Sequence, residues 1–111
     1  MDTADLRDFV EFEEGRALAR EVFRSDRLAA RVISVDVNGA YGPAGDPQAD
    51  AVVVILAGEA VFQVGRSRKR MQQWGSALVQ AGQEVVATNA SGDPLVLLLV
   101  TAPPNGTSTA S

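Results

Sequence analysis

The sequence predicts an all-β fold, a double-sheet jelly roll or barrel, from three observations. About eight short apolar or alternating runs recur at regular spacing, each closed by glycine, proline or a polar cluster. No stretch carries a convincing helical pattern. The strongest run, Ala51 to Leu56, is continuous and β-branched, as a strand in the wall of an all-β core would be. The chain has 111 residues and 46% hydrophobic content, which is enough for one ordinary domain with one core and leaves no room for a second.

In order, residues 1–15 form an acidic leader with six acids, Asp2, Asp5, Asp8, Glu11, Glu13 and Glu14, against Arg7. Phe9 alternates with charged neighbours, so a short edge strand is expected around Asp8 to Phe12; a disordered leader is the alternative. Arg16 to Phe23 and Leu28 to Val37 are strand-like runs separated by the polar turn Arg24-Ser25-Asp26-Arg27. In the second run Arg31, Ile33 and Val35 share one face and Val32, Ser34 and Asp36 the other. Asn38-Gly39 supplies a turn with positive φ. Gly39 to Pro47 is too rich in glycine and proline for helix or a central strand and reads as a turn-rich entry to the Ala51 run.

Beyond Gly58, Glu59 to Val64 alternates as a strand, and Gly65 to Trp74 reads as a polar, basic connection. Ser76 to Gln80 and Glu84 to Thr88 are two short strands around an Ala81-Gly82 turn, and Asn89 to Pro94 is a loop. Leu95 to Thr101 is apolar up to its last residue and is expected to be covered on both sides. The barrel thus spans 16–104, and residues 105–111 form a Gly/Ser/Thr tail expected to be mobile.

The spacing of Gly39 and Gly58 resembles the first motif of the cupin family, G-x5-H-x-H-x3-E-x6-G, with Gly45, Pro47 and Ala51 at its three metal-ligand positions. Gly82 and Asn89 fall on the glycine and asparagine of the second motif, G-x5-P-x-G-x2-H-x3-N, while Gln80 replaces its proline and Val85 its histidine. The resemblance, covering roughly Val32 to Pro104, implies a cupin-like double-stranded β-helix. It also implies a barrel interior lined by Tyr41, Gly45, Pro47, Ala51, Val53, Ile55, Val85 and Ala87. In the family three histidines and a glutamate hold one divalent metal there; none of the four counterparts here has a donor side chain.

Composition narrows the chemistry in the same direction. The chain has no histidine and no cysteine, which removes the commonest general base, the commonest transition-metal ligand and any thiolate nucleophile. No metal or other cofactor is therefore expected. Asp46 and Asp50 could hold a hard cation, but acids among glycines and prolines are more often turn-formers. A net charge of −4 disfavours nucleic acid, and the basic run Arg66 to Arg70 reads as a solvated hairpin whose natural partner is the acidic leader of its own or a neighbouring chain. No apolar run reaches the ~20 residues of a membrane span, and the default location is the cytoplasm.

Several side chains carry two readings. Tyr41 is a ligand donor or an isomerase acid, or a rim aromatic covering the core. Trp74 stacks on a flat ligand, or packs at a strand start or subunit contact, and Arg31 binds a carboxylate inside the barrel or pairs on an outer face. The leading functional expectation is a metal-free barrel that binds a small, largely apolar molecule. The alternatives are a metal-free isomerase or lyase using Tyr41, Asp50 or Glu84, and a structural subunit whose barrel is filled. A homodimer is expected, because Leu6, Phe9 and Phe12 are too few to make a core and need another surface.

Overall fold

The computed structural model describes residues 1–104; the C-terminal tail lies outside them. Nine strands follow a short 3-10 turn at Leu6–Phe9: β1 (Ala17–Arg24), β2 (Ala29–Val35), β3 (Ala40–Gly45), β4 (Asp50–Ala57), β5 (Ala60–Val64), β6 (Ser67–Met71), β7 (Ser76–Val79), β8 (Glu84–Asn89) and β9 (Leu95–Ala102). They form two antiparallel sheets, five strands ordered β1-β2-β9-β4-β7 facing four ordered β3-β8-β5-β6. The chain crosses repeatedly from one sheet to the other, the layout of a double-stranded β-helix.

Period-two alternation fixes which side chains meet between the sheets. From the larger sheet come Ile33 and Val35 of β2, Val53 and Ile55 of β4, Val79 of β7, and Leu95, Leu97 and Leu99 of β9; from the smaller sheet come Ala60, Phe62, Val85 and Ala87. Strand register sets these residues side by side: Ile33 pairs with Leu97, and Leu97 with Ile55. The predicted double coverage of β9 also holds in large part, since on its outward face Val96 is buried and Leu98 and Val100 are half-buried.

Three local expectations are corrected. The segment around Asp8 to Phe12 is not an edge strand. Asp5 caps a 3-10 turn by accepting from the Arg7 backbone N–H at 3.0 Å, and the chain then runs back over the outer face of β1 and β2. There Glu11 N–H donates to Ser34 Oγ at 3.1 Å, and the Arg20 guanidinium lies 5.5 Å from the centre of the Phe9 ring. The leader thus covers the outward side chains Val32 and Ser34 of its own chain, which are fully buried.

Gly39 to Pro47 contains a strand, β3, and not only turns. It is an edge strand whose pairing with β8 is interrupted between Tyr41 and Ala44, so Gly42 and Pro43 sit in an irregularity where a missing N–H breaks no ladder. The basic connection likewise contains β6, the outer strand of the smaller sheet, exposed from Ser67 to Arg70. Its charges suit an edge that must not pair further. Arg70 bonds Glu59 at 2.7 Å, whereas the leader acids bond Arg7, Arg16 and Arg20; among the ion pairs of the described residues the basic run and the leader do not meet.

Candidate functional site

Along three neighbouring strands the inward side chains become smaller or polar toward one end. On β2 the series Val35, Ile33 ends in Arg31; on β9 Leu95, Leu97, Leu99 ends in Thr101; on β4 Ile55, Val53 ends in Ala51. The register aligns these endings, with Ala51 flanked by Thr101 and Val79, and Arg31 beside Leu99. Across the gap the smaller sheet presents Tyr41, Ala44 and Val85. The space left between the sheets is a cavity of about 380 Å³, edged by Gly42, Pro43, Gly45, Asp46 and Glu84.

The cavity wall is mostly apolar, formed by Ala44, Ala49, Ala51, Val79, Val85 and Leu99, with a few polar groups converging on it. Arg31 is 7% exposed and Thr101 5% exposed, so both polar side chains are deep in the fold. Among the described residues Thr101 Oγ1 is the buried side-chain polar atom with no hydrogen-bond partner. Burial pushes the Tyr41 phenol above its ordinary value, and the nearby positive charge of Arg31 works in the opposite direction. The phenol is therefore a neutral donor across the whole physiological range.

Of the residues expected to line the interior, Tyr41, Gly45, Ala51 and Val85 border this cavity. Pro47 lies instead on a shallower neighbouring depression with Gln63, Gly82 and Gln83. Val53, Ile55 and Ala87 are fully buried in the packed remainder of the core. Arg31 lines the cavity and so does not sit on an outer face of the barrel, while Trp74 stands 73% exposed away from the cavity. Thr101 escapes a sequence reading because it looks like the end of an apolar run. The available signal is phase, since it continues the inward series Leu95, Leu97, Leu99.

The family's metal does not fit these residues. Three of the four ligand counterparts converge, but Gly45, Ala51 and Val85 offer no donor and Pro47 is elsewhere. Gly45 leaves no space for a side chain either, because an added Cβ would run into the Gln83 carbonyl. Asp46 Oδ1 accepts from Gln48 N–H at 2.7 Å and Asp50 Oδ1 from Ala81 N–H at 2.8 Å, so both acids shape turns. Among the described residues no three histidine, cysteine, aspartate or glutamate side chains come together.

The matching glycine and asparagine positions have structural reasons. Gly58 has φ +91°, and a Cβ there would sit 2.6 Å from the Pro94 carbonyl oxygen. Asn89, 8% exposed at the closed end of the barrel, donates to the carbonyls of Val35, Asp36 and Asp93 at 3.3, 3.3 and 2.8 Å, while its Oδ1 accepts from Ser91 N–H. It ties the loop before β9 to the end of β2.

Solved structures share this architecture. A protein from Thermus thermophilus superposes with a TM-score of 0.86 at 27% identity, over 93% of this chain and 98% of its own. A conserved Klebsiella pneumoniae protein with a double-stranded beta-helix domain gives 0.88 at 18% identity over 95% and 92%. An RmlC-like cupin from Desulfovibrio desulfuricans gives 0.82 at 15% identity over 93% and 97%. The chain has the cupin fold. No protein-family profile matches the sequence, and no curated protein does. At these identities the likeness speaks for the cupin fold, and function must be argued from the cavity.

Proposed function

We propose that this cupin-fold protein binds a small, largely apolar molecule in the barrel cavity without a resident metal. The observation that carries the reading is the 380 Å³ space itself, with apolar walls and a few convergent polar groups. It favours binding over the filled-barrel alternative, because the packing that closes the barrel around Ile33, Ile55 and Leu97 stops short of Ala51 and Thr101. It favours binding over a metal-free isomerase or lyase too. Asp50 holds a turn and Glu84 is exposed at the rim, so neither carboxylate is set up as the base that a Tyr41 acid would need beside it.

The test is melting in the presence of small aromatic and aliphatic probes at millimolar concentration. A ligand that binds only the folded state stabilises it by about 2.7 kcal/mol at a hundred times its dissociation constant. Ala51→Phe, which plugs the cavity from β4, should fold and lose the shift. A wild-type melting temperature that no probe moves would reject the reading.

The homodimer belongs to the same proposal, with a revised surface. Because Phe9 and the Glu11 backbone of the leader are engaged with their own sheet, association is better supported at the opposite edge. There Val52 and Leu78 are register partners facing outward at 42% and 60% exposure, close in sequence to exposed Trp74. Light scattering should report a dimer for the native chain and a monomer for Leu78→Lys; a native monomer at micromolar concentration would reject it.

A further inference from the structure

We propose that the cavity selects an organic anion, a small apolar acid whose carboxylate is received by Arg31 and Thr101. This rests on the binding reading above and adds the ligand's charge and size. Two independent observations meet at one place. Arg31, whose guanidinium presents a fork of N–H donors, lines the cavity while 7% exposed. Thr101, 5% exposed on the neighbouring strand, lines the same cavity with a hydroxyl that has no partner among the described residues. A buried hydroxyl without a partner costs free energy, and a ligand oxygen would satisfy it.

Strand register sets the reach. Arg31 pairs with Leu99, and Thr101 is two residues further along β9 on the same inward face. Both polar groups therefore project from adjacent strands into one corner, while Ala51, Val79 and Val85 line the space beside them. That places a charge-compatible head site next to an apolar body site. The Tyr41 phenol, neutral and facing from the other sheet, is a further donor.

Acids also stand around this end of the barrel. Glu21, the register partner of Arg31 on β1, is bonded by Arg24 at 2.8 Å. Asp46 is engaged with Gln48 N–H, and Glu84 is exposed. These rim acids favour a single small carboxylate over polyanions such as nucleotides. At about 30 Å³ per water-sized group, 380 Å³ holds about a dozen non-hydrogen atoms.

Benzoate and its neutral isostere benzamide are the probes, titrated calorimetrically into the full chain. Wild-type protein should bind benzoate at least about tenfold more tightly than benzamide, the discrimination of one charge-assisted contact. Arg31→Met should abolish that preference by weakening benzoate alone. Arg31→Lys should keep part of it, and Thr101→Val should weaken benzoate about tenfold or less while sparing benzamide. Equal binding of the two probes by the wild type would overturn the anion proposal and leave the binding reading standing. Binding of neither at millimolar concentration, with other apolar probes still shifting the melting temperature, would also overturn it; silence from every probe would reject both. The wild-type comparison decides the matter even if a variant does not fold.

Discussion

Along β2, β4 and β9 the inward side chains run from Val35, Ile55 and Leu95 at one end of the barrel to Arg31, Ala51 and Thr101 at the other. β2 pairs with β9 without interruption along this span, and β4 pairs with β9 regularly from Asp50 to Ile55, with an irregularity only after Ile55. At the first end bulky side chains from both sheets fill the interior, and Asn89 fastens the chain above them with three donated bonds. At the other end one short alanine and two polar side chains leave 380 Å³ open. The difference teaches that a packed core and an open cavity are divided along the strands of a single sheet. Only substitutions at alternate residues are needed to move the boundary.

The largest expected effect therefore belongs to the closed end. Leu97 is fully buried between Ile33 and Ile55, and Leu97→Ala should cost about 2–5 kcal/mol, from lost transfer energy and an unfilled hole. Urea unfolding of Leu97→Ala beside Ala51→Val sharpens the contrast. The second variant adds apolar volume to open space, so its stability should change by less than about 1 kcal/mol. Similar losses for both would mean that the two ends are equally packed.

Removing residues 1–12 should come next. The leader covers Val32 and Ser34 on the outside of the same sheet, and its loss should cost about 1–2 kcal/mol through apolar exposure and the lost Glu11 to Ser34 bond. This reverses the sequence expectation that the leader serves association first. An unchanged unfolding midpoint for the truncated chain would restore that expectation.

Thr101→Val works in the opposite direction. Replacing a buried hydroxyl that lacks a partner among the described residues by an isosteric methyl should stabilise the protein by about 1 kcal/mol, even as it weakens anion binding. A gain in stability coupled to a loss of affinity is what a recognition site held at some cost to folding predicts. A destabilised variant would mean that the hydroxyl is already satisfied in solution.

How much of this is legible in the sequence depends on where each strand lies. Strands with one inward and one outward face announce themselves, and the assignment of Arg31, Ile33 and Val35 to one face of β2 holds in the fold. Edge strands do not. β3 reads as a loop because Gly42 and Pro43 interrupt it, and β6 reads as a connection because exposure leaves its composition free for charge. The glycines and Asn89 are legible as a cupin pattern because backbone geometry requires them, whether or not the chemistry is kept. The cavity is legible in part, through Ala51 and Val85. Its depth is not, because which inward residues stop filling the core is decided by the pairing of β9 with β2 and β4, a long-range relation that no local pattern records.

Tyr41 offers the finest probe of the open end. It is the one tyrosine of the chain, so its ionisation can be followed by ultraviolet absorbance without interference from another phenol. Burial raises its pKa above the ordinary tyrosine value, with Arg31 offsetting part of the rise. The sign for stability follows from linkage: in the alkaline range the unfolded phenol ionises first, so the unfolded state is the one favoured as pH rises. Stability should be unaffected below the ordinary tyrosine value and should decline as pH climbs from there through the folded-state value. Tyr41→Phe should remove that part of the decline. Arg31→Met should move the absorbance midpoint of Tyr41 still higher, because the offsetting charge is gone, and bound benzoate should do the same by neutralising it. A midpoint at the ordinary value, insensitive to Arg31→Met, would show the open end to be fully hydrated with its two polar walls independent, and would remove the contrast between the two ends of the barrel.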